Sequence, residues 1–312
     1  MITNQIIYFD ERLHKYTDSR GNIYTSVTTV IPKYHEEFKT DDVAAACERI
    51  GRNPAHPKYL KYKGKTAAEI KYGWNKIKVD ALANGNKKHD YLEDTVKKAT
   101  NYRTIEGTDL IQDRLFTIED IANNTFGELS IEWFITSGIA FRYPKIYSAI
   151  LTLHNAGFKF YAEVGVYNVE LLVSGKIDLI AVKGLDFIII DWKTNKDDIR
   201  YEAGYFDKDM NGKSTNIFIS TNKYMRYPLH FLPDSIGNHY NLQVSGYAWL
   251  LEQFGFKNIG NIIYQIRETE EGLVEKVDKI SLFDYREKSA SMFKHHFENR
   301  ILKPQLKINY AN

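Results

Sequence analysis

At 312 residues the chain is long enough for one large domain or two small ones with a substantial core. Its 43% hydrophobic, 14% aromatic and 26% charged residues are those of a globular protein, and its single cysteine, Cys47, excludes a disulfide framework or a cysteine-built metal cluster and suits a reducing compartment. The net charge of +2 hides a segregation: residues 52–88 carry ten Lys or Arg against Glu69 and Asp80, whereas residues 104–132 carry seven carboxylates against Arg114. Such asymmetry suits one face meeting a polyanion.

The N-terminus, MITNQIIYFDERLHKY, lacks the charged region and apolar run of a secretory signal, and no apolar stretch reaches bilayer length. The expectation is an intracellular, cytoplasmic protein with no membrane partner. HKYTDSRGNIYTSVTTV (14–30) alternates around an Asp-Ser-Arg-Gly turn and predicts an N-terminal β-hairpin, so residues 1–50 hold that hairpin and the start of a helical region. Residues 51–157 read as helical, basic then acidic, and close on PKIYSAILTLHNAG, with proline at its start and glycine at its end. The period then changes to that of strands at 158–170, 172–182 and 186–194. Residues 195–238 read as a long irregular insertion, 239–256 as a helix and 261–268 as a strand closing the core, with a further strand and helix at 269–312. With no repeat and no low-complexity linker, one domain over 1–312 is expected: α/β, with a core order of helix, three strands, helix, strand, plus helical insertions and the N-terminal hairpin.

GKIDLIAVKGLDFIIIDWKTNK (175–196) reads as two apolar strands, yet carries Asp178, Asp191 and Lys193. Residues i and i+2 share a face of a strand, so Asp191 and Lys193 point together, opposite Trp192. With Lys183 and Gly184 as the turn, Asp178 faces Ile189 and sits diagonally from Asp191, roughly 7–8 Å between Cα atoms. Two carboxylates at a sheet centre are costly unless compensated, and a hard divalent ion with oxygen ligands compensates them. A lysine has no lone pair for a metal while charged, but it can orient water or neutralise a reacting phosphate. Asp-x-Lys alone also fits an ordinary strand end carrying a salt bridge. Mg²⁺ and Mn²⁺ both suit such oxygen donors.

Other candidates rest on spacing. Gly85, His89 and Glu93 are four apart, on one helix face; Gln243 and Tyr247 share another, with Gly246 between them. HPKYLKYKGKTAAEIKYGWNKIK (56–78) interleaves Tyr59, Tyr62, Tyr72 and Trp74 with lysines that include Lys58, Lys61, Lys63 and Lys65. Lysines neutralise phosphates and aromatic faces stack on exposed bases, which favours a single strand; a solvated helical face with buried aromatics gives the same pattern. The chain has no P-loop, no Gly-x-Gly-x-x-Gly and no Gly-x-Ser-x-Gly.

GKID followed by IIDWKT resembles the second and third motifs of the PD-(D/E)XK nucleases. GNKKHDYLE (85–93), QVSGY (243–247) and TSVTTV (25–30) narrow the likeness to the RecB-like exonuclease branch, which has mitochondrial and phage members. These motifs span about residues 14–268, and the segment 195–238 carries no family pattern. The resemblance implies a restriction-endonuclease-like αβββαβ core: a mixed sheet flanked by helices. It implies Asp178 and Asp191 as metal ligands, with the Trp192 carbonyl, His89 and Glu163 as further ones, and Lys193 as the catalytic lysine. Gln243 and Tyr247 would hold the active site or the DNA backbone, and Ser26 and Thr28 would lie on the nucleic-acid side. The implied activity is Mg²⁺- or Mn²⁺-dependent hydrolysis of DNA at ends or single strands in recombination, repair or replication, in a bacterial or phage-infected cytoplasm. The iron–sulfur members need four cysteines, so no such cluster is expected. An endonuclease of the same fold and a non-catalytic DNA-binding subunit are the alternatives.

Overall fold

The computed structural model describes residues 5–10, 12–99, 114–122, 128–209, 214–268 and 274–302. It opens with an antiparallel meander of β1 (Ile7–Asp10), β2 (Lys15–Asp18) and β3 (Ile23–Ser26). The Asp18 carboxylate closes the β2–β3 turn by accepting the amides of Arg20 and Asn22, both at 2.9 Å. The expected hairpin stops short of Val30. Ser26 accepts the amide of Thr29 at 3.1 Å and caps a helical turn, α1 (Val27–Val30). A capping serine overrides the β-propensity of Val-Thr-Thr-Val, and Val27 and Val30 are fully buried as a result.

Helices α2 (Thr40–Ile50), α3 (Tyr59–Tyr62) and the long α4 (Ala67–Ala99) follow. After them come α5 (Ile118–Ala122), α6 (Ile131–Thr136), α7 (Ile139–Arg142) and α8 (Pro144–Asn155). Part of the expected acidic helical stretch, 100–113 and 123–127, lies outside the described residues. Pro144 begins α8, where its missing N–H costs nothing, and Ile146 and Ile150, four apart, bury one face. Three strands succeed it in order: β4 (Lys159–Asn168), β5 (Val173–Lys183) and β6 (Asp186–Lys193). The insertion is less irregular than its sequence suggests, because it carries an antiparallel hairpin of β7 (Gly204–Lys208) and β8 (Ser214–Ser220). Helix α9 (Ile236–Glu252), capped by Ser235, then leads to β9 (Lys257–Glu268), β10 (Val274–Ile280) and α10 (Arg286–His296). The order α8-β4-β5-β6-α9-β9 is the helix, three strands, helix, strand expected from the sequence.

The main sheet is mixed, running β1-β2-β3-β5-β6-β9-β10, with β4 on the other edge of β5. The β6–β9 and β3–β5 pairs are parallel. On one face pack α1, α9 and α10, through Val30, Leu242, Val244, Leu250 and Phe293 among others. On the other face pack α4, α6, α7 and α8, through Leu92, Phe134, Ile139, Ile146 and Ile150, against Leu179, Ile190 and Trp192. The protein is therefore an α/β structure whose mixed sheet is flanked by helices on both faces. Among the described residues, no helix is long and apolar enough to cross a membrane.

β5 shares one edge between two partners. β6 pairs with Leu179–Lys183, and β3 pairs with Val173 and Ser174. Between those ladders, residues 175–178 face a gap where β3 and β6 diverge. That gap positions the candidate site.

Candidate active site

The β5–β6 ladder pairs Lys183 with Asp186 and Val182 with Phe187, so the turn is Gly184–Leu185 rather than the expected Lys183–Gly184. Gly184 has φ +60°, the geometry a two-residue II′ hairpin asks of its first central residue. The correction shifts the register by two residues, and an even shift leaves every side chain on its face. The ladder ends at Leu179↔Ile190, and counting on by one residue brings Asp178 level with Asp191 rather than diagonal to it, at the point where the two strands begin to part.

Here the ladder gives way to side chains. The Trp192 amide donates to Asp178 Oδ2 at 3.4 Å, and Lys193 Nζ donates to Asp191, 3.1 Å from Oδ1 and 2.9 Å from Oδ2. Asp191 is 1% exposed. Phe187 and Ile189, on the same face of β6, pack in the α9-side core, which puts Asp191 and Lys193 towards α9. Trp192 is buried against α8 on the far face. Burial pushes the Lys193 ammonium down, but Asp191, Asp178 and Tyr240 outweigh it, so the group sits above its ordinary value and stays charged.

Helix α9 builds the roof. Lys193 Nζ lies 4.9 Å from the centre of the Tyr240 ring, a cation–π contact, and Tyr240 donates its hydroxyl to Asn195 Oδ1 at 2.7 Å. Gln243 donates to the Tyr247 hydroxyl at 3.3 Å, so the two expected partners do meet. Tyr247 is buried, and burial first, then Tyr16, Asp191 and Asp178, push its hydroxyl well above the usual value. A Cβ on Gly175 would lie 2.5 Å from Tyr247 Cε1, so the glycine of Gly-Lys-Ile-Asp makes room for this ring. Beneath, Gln265 is the register partner of Lys193 and donates to the carbonyls of Asn195 and Asp197 at 2.9 and 2.8 Å. The chain leaving the lysine is thereby fixed.

Glu163 sits where β4 crosses this row. The β4–β5 ladder pairs Ala162 with Leu179 and Val164 with Ile177 but skips Glu163, whose φ is +55°. A left-handed glutamate costs on the order of 1–3 kcal/mol and persists only where its surroundings impose it. Its carboxylate, 4% exposed, is ion-paired with Lys176. The ligand oxygens of Asp178, Asp191 and Glu163 do not all lie within 4.8 Å of one another. Glu163 therefore belongs to the row but not to a closed trio. The His89 side chain lies outside the described residues, although its backbone falls within α4.

The remaining sequence candidates lie elsewhere. Ser26 is buried, spent on capping α1 and in contact with Thr28 Oγ1 at 3.1 Å, whereas Thr28 is exposed. Lys58 is ion-paired with Asp207 of β7 at 3.0 Å, and Lys61 donates to the Lys208 carbonyl at 3.0 Å. Lys63 and Lys65 are exposed, with Lys63 over the Tyr59 ring at 5.6 Å. Tyr62 and Trp74 pack against a small cluster of Ala44, Cys47 and Ile70, which gives both a packing role. Tyr240, Gln265, Lys176 and Gly175 were not singled out from the sequence. Gly175 and Lys176 stand inside the Gly-Lys-Ile-Asp motif, and Tyr240 stands three before Gln243 and seven before Tyr247 on one helix face.

The donor set suits a hard divalent cation: carboxylate oxygens from neighbouring strands, with an ammonium balancing part of the charge. No protein-family model matches the chain, and no curated protein matches it.

Proposed function

We propose that the protein is a metal-dependent deoxyribonuclease of the PD-(D/E)XK type, RecB-like branch, acting as an exonuclease on single strands or DNA ends. One observation carries the reading: Lys193 is held between the Asp191 carboxylate and the Tyr240 ring, with Asp178 accepting the neighbouring Trp192 amide and acting on the Lys193 charge, within an element order of αβββαβ. Asp178 and Asp191 would hold the cation, and Mg²⁺ or Mn²⁺ is the matching class. When bound, that ion supplies Lewis-acid polarisation of the phosphate and a more acidic water.

The protein's own groups supply the rest. The ammonium of Lys193, fixed between Asp191 and the Tyr240 ring, donates to the attacking water or to a non-bridging phosphate oxygen. The water oxygen forms the new bond to phosphorus and gives up a proton to solvent, the P–O bond to the leaving nucleotide breaks, and that leaving oxygen takes a proton from solvent. Gln243, half-buried beside Tyr247, presents an amide to the DNA backbone. Lys58 and Lys61 tie the basic segment to the β7–β8 hairpin, and exposed Lys63 and Lys65 face the phosphates. The hairpin follows Lys193 by eleven residues, so it lies within chain reach of the site.

The test is a time course on end-labelled linear DNA beside circular DNA, with and without Mg²⁺. Wild type degrades the linear substrate only with metal, and Lys193→Ala and Asp191→Asn each lose at least about 10²–10³ in rate while DNA binding persists. Removing one partner of a buried pair strands the other, so melting curves accompany both variants. Cleavage of circular DNA would make it an endonuclease. Full activity in either variant would overturn the site.

A further inference from the structure

A second cluster of ligating side chains lies beside the first turn of α9, on residues that the nuclease reading does not use. His35 follows a short 3₁₀ turn after α1, Asp234 precedes the cap of α9, and His239 lies within its first turn. One ligand atom from each falls within 4.8 Å of the others. The two imidazoles stack at 3.8 Å between centroids, 15° apart, and His239 Nε2 is 2.7 Å from Asp234 Oδ1. The other carboxylate oxygen of Asp234 accepts the Glu36 amide at 2.8 Å, which turns Oδ1 towards the rings.

The scaffold behind these groups is well tied. Tyr34 is buried, with its hydroxyl 3.1 Å from the Met292 carbonyl and 3.0 Å from His295 Nδ1, and its carbonyl accepts the Arg226 amide at 2.7 Å. The Asp234 amide donates to the Lys223 carbonyl at 3.0 Å. A plain His239–Asp234 hydrogen bond accounts for two of the three residues. It leaves His35 Nε2 buried with no hydrogen-bond partner among the described residues, an omission that costs about 1–3 kcal/mol.

We propose that His35, Asp234 and His239 bind a divalent transition cation of the zinc class through two imidazole nitrogens and one carboxylate oxygen. Bond lengths of about 2.0–2.2 Å place tetrahedral ligands about 3.3–3.6 Å apart, so the ligand atoms draw together on binding and the two rings turn out of their stack to aim both nitrogens at one ion. Imidazole donors favour zinc, copper or nickel over magnesium, which separates this site from the carboxylate pair on β5 and β6. The inference does not rest on the nuclease reading, and either can fail without the other.

The test uses untagged full-length protein, stripped with chelator, loaded with Zn²⁺, desalted and assayed for metal. Wild type and Asp191→Asn are expected to retain one equivalent, and His239→Gln and Asp234→Asn to bind at least 10-fold more weakly. Retention that is absent in wild type, or equal in all four proteins, overturns the proposal. Because a variant can fail to fold, wild type is also loaded with Co²⁺. Intense visible absorption of four-coordinate cobalt is expected, and only the weak bands of a six-coordinate ion would overturn the site on their own.

Discussion

The two clusters against α9 solve opposite problems. On β5 and β6, Asp178 and Asp191 are carboxylates at a buried sheet face, offset by an ammonium held over a tyrosine ring. Beside the first turn of α9, His35 and His239 are imidazoles stacked on one another with a single carboxylate alongside. The first is charge-dense and oxygen-rich; the second carries one carboxylate and is nitrogen-rich. Hard and borderline cations divide along that line. Chelation followed by selective reloading therefore separates them. Mg²⁺ alone should restore cleavage in His239→Gln, whereas Zn²⁺ should bind Asp191→Asn without restoring it, the cleavage contrast being about 10³-fold. Equal rescue of both variants by one metal would collapse the distinction.

A smaller effect probes how tightly α9 is held against the sheet. Gly175→Ala would drive a methyl to 2.5 Å from the Tyr247 ring, which is itself buried and cannot swing away. Overpacking of this kind costs about 1–3 kcal/mol. Urea midpoints should fall accordingly, and Gln243 should lose its partner, while zinc retention beside the first turn of α9 stays unchanged. A midpoint equal to wild type would mean that the helix shifts freely, and the fixed geometry around Lys193 would go with it.

How much of this was legible in the sequence follows from the range of each interaction. The face shared by Asp191 and Lys193 was readable because alternation along β6 survives an even register error, and the turn was misplaced by one residue. Gln243 and Tyr247 were readable through helical spacing. The left-handed Glu163 was not, since only the tertiary setting selects that backbone. Val27–Val30 went unread as a helical turn because the Ser26 cap outweighs four β-formers. Asp234 and His239 are five apart, but His35 comes from the far end of the chain, and no local pattern links it to them. Tyr62 and Trp74 looked like a stacking surface in sequence and pack instead on Cys47 and Ile70, because periodicity reports a face and not what covers it.

The smallest expected effect is in pH, and its sign differs between the two clusters. Lys193 is raised above 10.5 in the fold. Its contribution to stability is fully present below 10.5 and is lost as pH rises through the folded value, so it weakens only on the alkaline side. His35 is lowered from 6.5 to about 4, chiefly by burial. Below 6.5 the unfolded chain takes up a proton that the folded ring refuses, so stability present at neutral pH is lost between 6.5 and about 4. Partial exposure and the nearby Asp234 carboxylate reduce that loss to about 1 kcal/mol. Urea midpoints at neutral and mildly acid pH should fall more in wild type than in His35→Gln, and the same pair should be indistinguishable at pH values where only Lys193 titrates. An acid-side loss that persists unchanged in His35→Gln would place the responsible proton elsewhere, because Asp234, whose burial is outweighed by His239 and the Glu36 amide, is held below its ordinary 3.8 and so outside that window.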